Sequence, residues 1–432
     1  MRTIRSQRLW LTVAIAAAVP CPAAIGPARA AILDQLFPQG VPGYGTDPGV
    51  TVQSRIRPDD RPDGVRAGTL IFHPQITTGF GYDSNVLAGT PARGSWLLQA
   101  QSSVSFASDW SRNALGGAVA VNDTTYLVLP QQNRVDVSAS LGSGIDIGQD
   151  RLTLSVAHAA RHEDRTHIDA LPADKPIFFT LDDARVSYRT KFDRWTLTPS
   201  LDVSQWHYDN TTIFGRPASQ AYRDRTVIEG AANLSYEIAP LRSLLLVARV
   251  TGQGYPNTLP GQPSQDSTSY EVLTGIDYAP DAMWRARLLF GGESRQFAHF
   301  ASHSAFIAEA ELAWMPTGLT TVRAIASRSI EDAAQAGVSG YTYTSAKLTI
   351  DHEYMRNLIL TASAGLQQAS YLQGGQQAGY TAGIGATWLV NRMVQVRATY
   401  DLTGLGGGHP AGQPATSAFD RNLALLTLQL GL

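Results

Sequence analysis

The residues best equipped for chemistry in this chain are charges that recur at even spacing. Glu271 is followed by Arg285, Arg287, Glu293 and Arg295, then by Glu309 and Glu311, Arg323, Lys347 and Asp351. Each stands on the polar parity of an alternating segment, and neighbouring segments carry opposite signs. Groups arranged in this way can form cross-strand ion pairs that brace a wall, or a surface that selects a polar or charged solute. Because the signs are mixed, discrimination between anions and cations should be weak. Glu271, Arg285, Arg287, Glu309, Glu311, Arg323 and Lys347 are the candidate lumen-lining residues.

The apparent catalytic motifs fail on spacing. In His162-Glu163-Asp164-Arg165-Thr166-His167 the histidines are one position too far apart for a zinc-binding helix, and the run lies at a strand end. Gly404 to Gly408 lacks the glycine spacing of a dinucleotide loop and follows no βαβ pattern, so it reads as an outer loop. No catalytic residue, metal ligand or cofactor site is assigned, and the chain is not expected to be an enzyme.

The elements that must hold these charges are strands of unusual length. Between Ser95 and Trp110, the residues Trp96, Leu98, Ala100, Val104, Phe106 and Trp110 share one parity. Gln99, Gln101, Ser103, Ser105 and Asp109 share the other. A period of two gives one apolar and one polar face, and a tilted strand needs roughly 9–11 residues to cross a bilayer. The pattern recurs about eighteen times, from a first strand near Thr69 to a last near Arg421. Tight connections such as Ser111-Arg112-Asn113, Gly148-Gln149-Asp150 and Phe192-Asp193-Arg194 alternate with longer ones at 164–176, 209–221, 253–266 and 404–420. Residues 69–432 are therefore expected to form an all-β transmembrane antiparallel barrel with short periplasmic turns and longer extracellular loops. Trp110, Trp195, Trp284, Trp314 and Trp388 lie near the short turns, where a belt of amphipathic rings belongs. None of the outer loops is long enough to suggest an inward fold, which favours an open passage.

Composition agrees with that reading. Only 16% of the 432 residues are charged, the formal net charge is −2, and nothing supports nucleic-acid binding. No run beyond the N-terminus reaches the roughly 18 apolar residues of a membrane helix. Residues 1–30 read as a signal peptide: Arg2, Arg5 and Arg8, an apolar core from Leu9 to Val19, and a small-x-small site at Ala28-Arg29-Ala30. The one cysteine, Cys21, falls inside it. Residues 31–68, with Pro38, Pro42, Pro48, Pro58 and Pro62, read as a Pro/Gly-rich periplasmic leader. The alternative is that this segment enters the lumen as a plug or docks a partner.

Gly81-Tyr82-Asp83-Ser84-Asn85-Val86, at the end of the first strand, resembles a motif of the putative β-barrel porin 2 family. So does Phe419-Asp420-Arg421-Asn422 at the start of the last strand, and so do the aromatic-x-Arg turns Trp110-Ser111-Arg112-Asn113 and Tyr354-Met355-Arg356-Asn357. The resemblance implies a Gram-negative outer-membrane barrel, embedded in outer-membrane lipid and often associated with exopolysaccharide systems. It brings no catalytic residues. The expected function is a channel passing exopolysaccharide or another polar solute, with periplasmic polysaccharide-export components as possible partners. A general or nutrient-uptake porin and a structural or adhesive barrel with a closed lumen are the alternatives.

Overall fold

The computed structural model describes residues 41–44, 51–55, 57, 62–281, 283–408 and 418–432, so the signal peptide expected over 1–30 lies outside the described residues. Among them are eighteen long strands: β1 (Leu70–Asp83), β2 (Ser95–Ser108), β3 (Ala114–Tyr126), β4 (Arg134–Ile147), β5 (Asp150–His162), β6 (Phe178–Phe192), β7 (Trp195–Tyr208), β8 (Arg225–Ala239) and β9 (Arg242–Gly254). They continue as β10 (Ser267–Tyr278), β11 (Trp284–Phe297), β12 (His303–Thr317), β13 (Thr320–Glu331), β14 (Tyr341–Met355), β15 (Leu358–Tyr371), β16 (Gln376–Leu389), β17 (Val394–Leu405) and β18 (Phe419–Gly431). Each pairs antiparallel with its sequence neighbour, and β18 returns to β1 from Gln75↔Gly431 to Asp83↔Leu423. The sheet is thus a closed barrel, which leaves the long strands without a free edge. Below Gln75 the β18 ladder stops, and the short strand Val65–Ala67 covers β1 there instead. No helix among the described residues is long and apolar enough to cross a membrane.

Alternation sets the two faces. On β10, Ser267, Ser269 and Leu273 are buried inward, while Tyr270, Val272 and Ile276 are exposed outward. Strands of 12 to 15 residues provide the span that a tilted strand needs in a hydrocarbon layer about 30 Å thick. The turn after β4 needs a left-handed residue, and Gly148 supplies it with φ of 67°. The aromatic belt is present: Trp195 packs on Tyr236 at 4.6 Å between centroids, and Trp284 stacks on Trp314 at 5.3 Å. A second set of outward rings, including Tyr82, Trp96, Tyr270, Phe306 and Tyr400, marks the opposite rim.

One loop departs from the sequence expectation. The β5–β6 connection, 163–177, turns inward across the mouth although it is of modest length. Its Ile168 is 1% exposed and packs with Tyr341, Tyr371, Leu405 and Phe419 on strands β14 to β18. Asp169 accepts hydrogen bonds from the Tyr371 hydroxyl (2.8 Å) and the Ala334 N–H (2.5 Å). Ala173 and Ile177 of the same loop are buried among Phe179, Leu181 and Tyr208, so the loop is held at both ends of its course, a device that loop length does not reveal.

Residues 41–44 and 51–55, within the segment 31–68, lie inside the barrel. Val41 and Tyr44 are buried against Ala118, Ala157 and Leu181, and the Tyr44 hydroxyl donates to Asp183 Oδ1 at 2.7 Å. Near the periplasmic rim, the Val52 N–H donates to Thr321 Oγ1 (2.9 Å), and the Gln53 amide donates to Asp351 (3.1 Å). Arg57 pairs with Glu353 at 2.9 Å, and Arg55 also pairs with that carboxylate. Small inward residues of β3 to β5 make the room. A side chain on Gly142 would place its Cβ 1.9 Å from the Pro42 carbonyl oxygen.

Candidate functional site

The wall charges form a packed network more than an open lining. The register places Arg249 of β9 opposite Glu271 of β10. Arg249 is 2% exposed and pairs with both Glu271 and Glu309, the latter at 3.0 Å. Arg287 lies opposite both Asp277 and Glu311, with 4.0 Å to Asp277 Oδ2. Arg323 pairs with Asp351 at 2.8 Å. Arg285 faces inward at the periplasmic end of β11, opposite Ala313. Lys347 stands apart on β14, exposed on the inward face opposite Ile325. Glu271, Arg287, Glu309 and Glu311 are therefore brought together, and Lys347 is not.

The hub Arg249 escaped the sequence reading. Its one signal was parity within 243–253, which looks the same for any inward arginine. The depth of enclosure was also hidden. Removing water from such ions is offset only by close pairing, so reversing Glu309 to Lys would set two cations against each other.

At the outer end, the two short sequence motifs meet across the closure of the barrel. The Asp83 carboxylate, 0% exposed, accepts from Arg421 Nη2 at 2.7 Å and Nε at 3.0 Å. The Asn85 N–H donates to Asp83 Oδ1 (3.0 Å), and the Asn422 N–H donates to Ser84 Oγ (2.8 Å). Arginine suits this site because its fork matches a carboxylate with two parallel bonds.

Four outer loops converge over the mouth. Arg223 pairs with Glu163, the Tyr222 hydroxyl donates to the Ala334 carbonyl (2.6 Å), and the Gln265 amide donates to the Val338 carbonyl. Burial pushes the Tyr222 hydroxyl up to about 12 and brings Arg165 down to about 10. Burial likewise raises the Asp169 carboxyl, against the opposing pull of the Ala334 N–H and the Tyr371 hydroxyl. Of the two histidines considered above, His162 Nδ1 lies 2.8 Å from Asp136, and His167 Nδ1 accepts from the Asp169 N–H at 3.3 Å.

Beneath this cap lies a cavity of about 250 Å³. One wall is an aromatic tile on β6 and β7, in which Trp206 lies 5.6 Å from Phe179 and 6.4 Å from Tyr208. Arg225 stacks on Trp206 at 4.6 Å and Arg223 on Tyr208 at 4.1 Å. Asp202, Glu229 and Asp332 supply carboxylates to the same cavity.

A closed eighteen-strand barrel agrees with the sequence match, in which a family model spans residues 57–412. The chain belongs to the Putative beta-barrel porin 2 family. This porin-type barrel is an outer-membrane protein of the Gram-negative envelope, and its surroundings are membrane lipid.

Solved structures similar to the barrel include the outer membrane protein opdK from Pseudomonas aeruginosa. It is 12% identical, with 84% of this chain and 99% of that one covered and a TM-score of 0.41. Acinetobacter baumannii OccAB3 is 8% identical, with 85% and 100% covered and a TM-score of 0.45. Pseudomonas aeruginosa OccK2 (OpdF), solved in complex with glucuronate, is 11% identical, with 84% and 98% covered and a TM-score of 0.45. No curated protein sequence matches the chain.

Proposed function

We propose that this barrel is a selective passage for small polar solutes, held restricted at rest, and not a standing conduit for polymer. The observation that carries the reading is the inward turn of residues 163–177. It spans the mouth from β5 to β15 and is fixed there by Ile168 and Asp169. Residues 41–44 and 51–55 occupy the interior from the other side, on Asp183, Thr321 and Asp351. The inward face offers ionic and hydroxyl groups to a hydrated solute. Candidate contacts are the Arg249–Glu271–Glu309 network, with Arg285, Arg287, Glu311, Arg323 and Lys347. In planar bilayers the native protein should give small, infrequent current steps, and deletion of Asp164–Ala170 should enlarge them several-fold. Unchanged currents would place the loop outside the conduction path.

Passage of an exopolysaccharide, with periplasmic export components, is the reading implied by the family resemblance. It requires both the loop and the leader to move aside. Loss of the gene would then block polymer secretion while leaving growth on small sugars normal. The reverse pattern supports solute uptake.

A further inference from the structure

The cavity beneath the cap lies above the charge network of the wall and meets it at Glu229. Arg225 contributes a donor, Nε, that is buried without a hydrogen-bond partner. The nearest carboxylate oxygen, Asp332 Oδ2, is 3.6 Å away, beyond ordinary hydrogen-bond range. Stacking on Trp206 holds the guanidinium plane, so this N–H has a fixed direction. A buried donor left unmade costs more than a typical bond gains, and because this one borders the cavity, a ligand acceptor there would complete it.

The other walls narrow the ligand class. Asp202 and Glu229 bring carboxylates to the cavity, and an ionised carboxylate offers acceptor sites only. Val227, Phe179 and the aromatic tile give an apolar surface. An anionic ligand would satisfy Arg225 but face the carboxylates of Asp202, Glu229 and Asp332. A cationic ligand would suit those carboxylates but leave the Arg225 Nε donor unmatched. A neutral ring bearing several hydroxyls does both tasks, since each hydroxyl donates and accepts, and its C–H face can lie on apolar wall. The volume of about 250 Å³ is below the roughly 300–1,000 Å³ of sites for drug-sized ligands, which suits one ring.

We infer that the cavity formed by Phe179, Trp206, Arg225, Asp202 and Glu229 beneath the loop cap is a binding site for a neutral monosaccharide ring. The inference rests on the solute-passage reading and names the class of solute that reading leaves open.

The test is calorimetric titration of the full chain, folded in a zwitterionic detergent without a sugar head group, with glucose, glucuronate and glucosamine as separate probes. Saturable glucose binding at one site is expected, with glucuronate and glucosamine each at least tenfold weaker. Arg225→Gln should weaken glucose at least tenfold, while Arg397→Gln, an inward charge on β17 outside the cavity, should leave it unchanged. If Arg225→Gln fails to fold, Arg225→Lys keeps the charge but loses the planar fork, and the same tenfold loss is expected. Absence of saturable glucose binding, equal binding of the charged sugars, or an Arg225 variant that binds like the native protein would each overturn the site. Bilayer currents on the same preparations separate the two claims. Currents that respond to deletion of Asp164–Ala170, without glucose binding, refute the site and leave the passage standing. Glucose binding with currents indifferent to that deletion keeps the site and refutes the passage.

Discussion

Breaking the Asp83–Arg421 pair should destabilise the barrel at its closure, and the two single substitutions should not cost the same. Asp83 is fully enclosed and receives two bonds from the arginine fork, whereas the Arg421 side chain is 15% exposed. Arg421→Ala therefore strands a buried carboxylate that keeps only the Asn85 N–H at 3.0 Å and a long contact from the Tyr126 hydroxyl at 3.4 Å. Losing one partner of a buried pair costs about 3–5 kcal/mol. That is a large fraction of the ~5–15 kcal/mol by which a typical domain is stable. Asp83→Ala should cost less, because the freed guanidinium reaches solvent and has Asp164 beside it. Removing both charges together, Asp83→Ala with Arg421→Ala, should cost much less than the sum of the two single changes, since no uncompensated ion remains. The assay is urea unfolding of vesicle-refolded protein, followed by tryptophan fluorescence. The reasoning fails if the single effects add, with a coupling energy below about 0.5 kcal/mol. It fails also if Asp83→Ala is the more damaging change.

Leu288→Arg or Leu360→Arg puts a charge on the outward face and should cost roughly 2–4 kcal/mol near the midplane. By contrast, Gln101→Arg on the exposed inward face should unfold at the same urea concentration as the native chain. Gly142→Val should displace residues 41–44 by filling the space beside Pro42. Increased labelling of a cysteine placed at Tyr44 would report it, and unchanged labelling would show that the segment holds by other contacts. The capped mouth should open less readily in acid. Asp169 has a raised value when buried, so the capped state holds its proton more tightly than a state with the loop in water. Acidification through that raised value stabilises the cap, and the gain is complete below the ordinary carboxyl value of about 3.9. Conductance should accordingly fall as pH is lowered, and Asp169→Asn should flatten the profile. A profile that persists in Asp169→Asn assigns the titration elsewhere.

Much of the barrel was legible because a two-residue period leaves no choice of face. Once Trp96, Leu98 and Ala100 point to lipid, Leu97, Gln99 and Gln101 must point inward. The turn residues then fix the register of each hairpin, so the first strand, expected near Thr69, begins at Leu70, and the last, expected near Arg421, begins two residues earlier at Phe419. The closing motifs were legible as residues but not as a contact. Asp83 and Arg421 are 338 positions apart, and only closure of the sheet brings them together.

By itself, then, the sequence determined strand number, strand direction and the two faces, since periodicity, turn chemistry and aromatic placement are local and repeat at every hairpin. Tertiary structure decided what fills the barrel. Ile168 crosses to Tyr371, Tyr44 reaches Asp183, and Arg249 gathers Glu271 and Glu309. Of these, only Arg249 and Glu271 are set opposite each other by local register. The rest depend on how a closed cylinder brings distant walls within reach of one side chain, a geometry that no local pattern encodes.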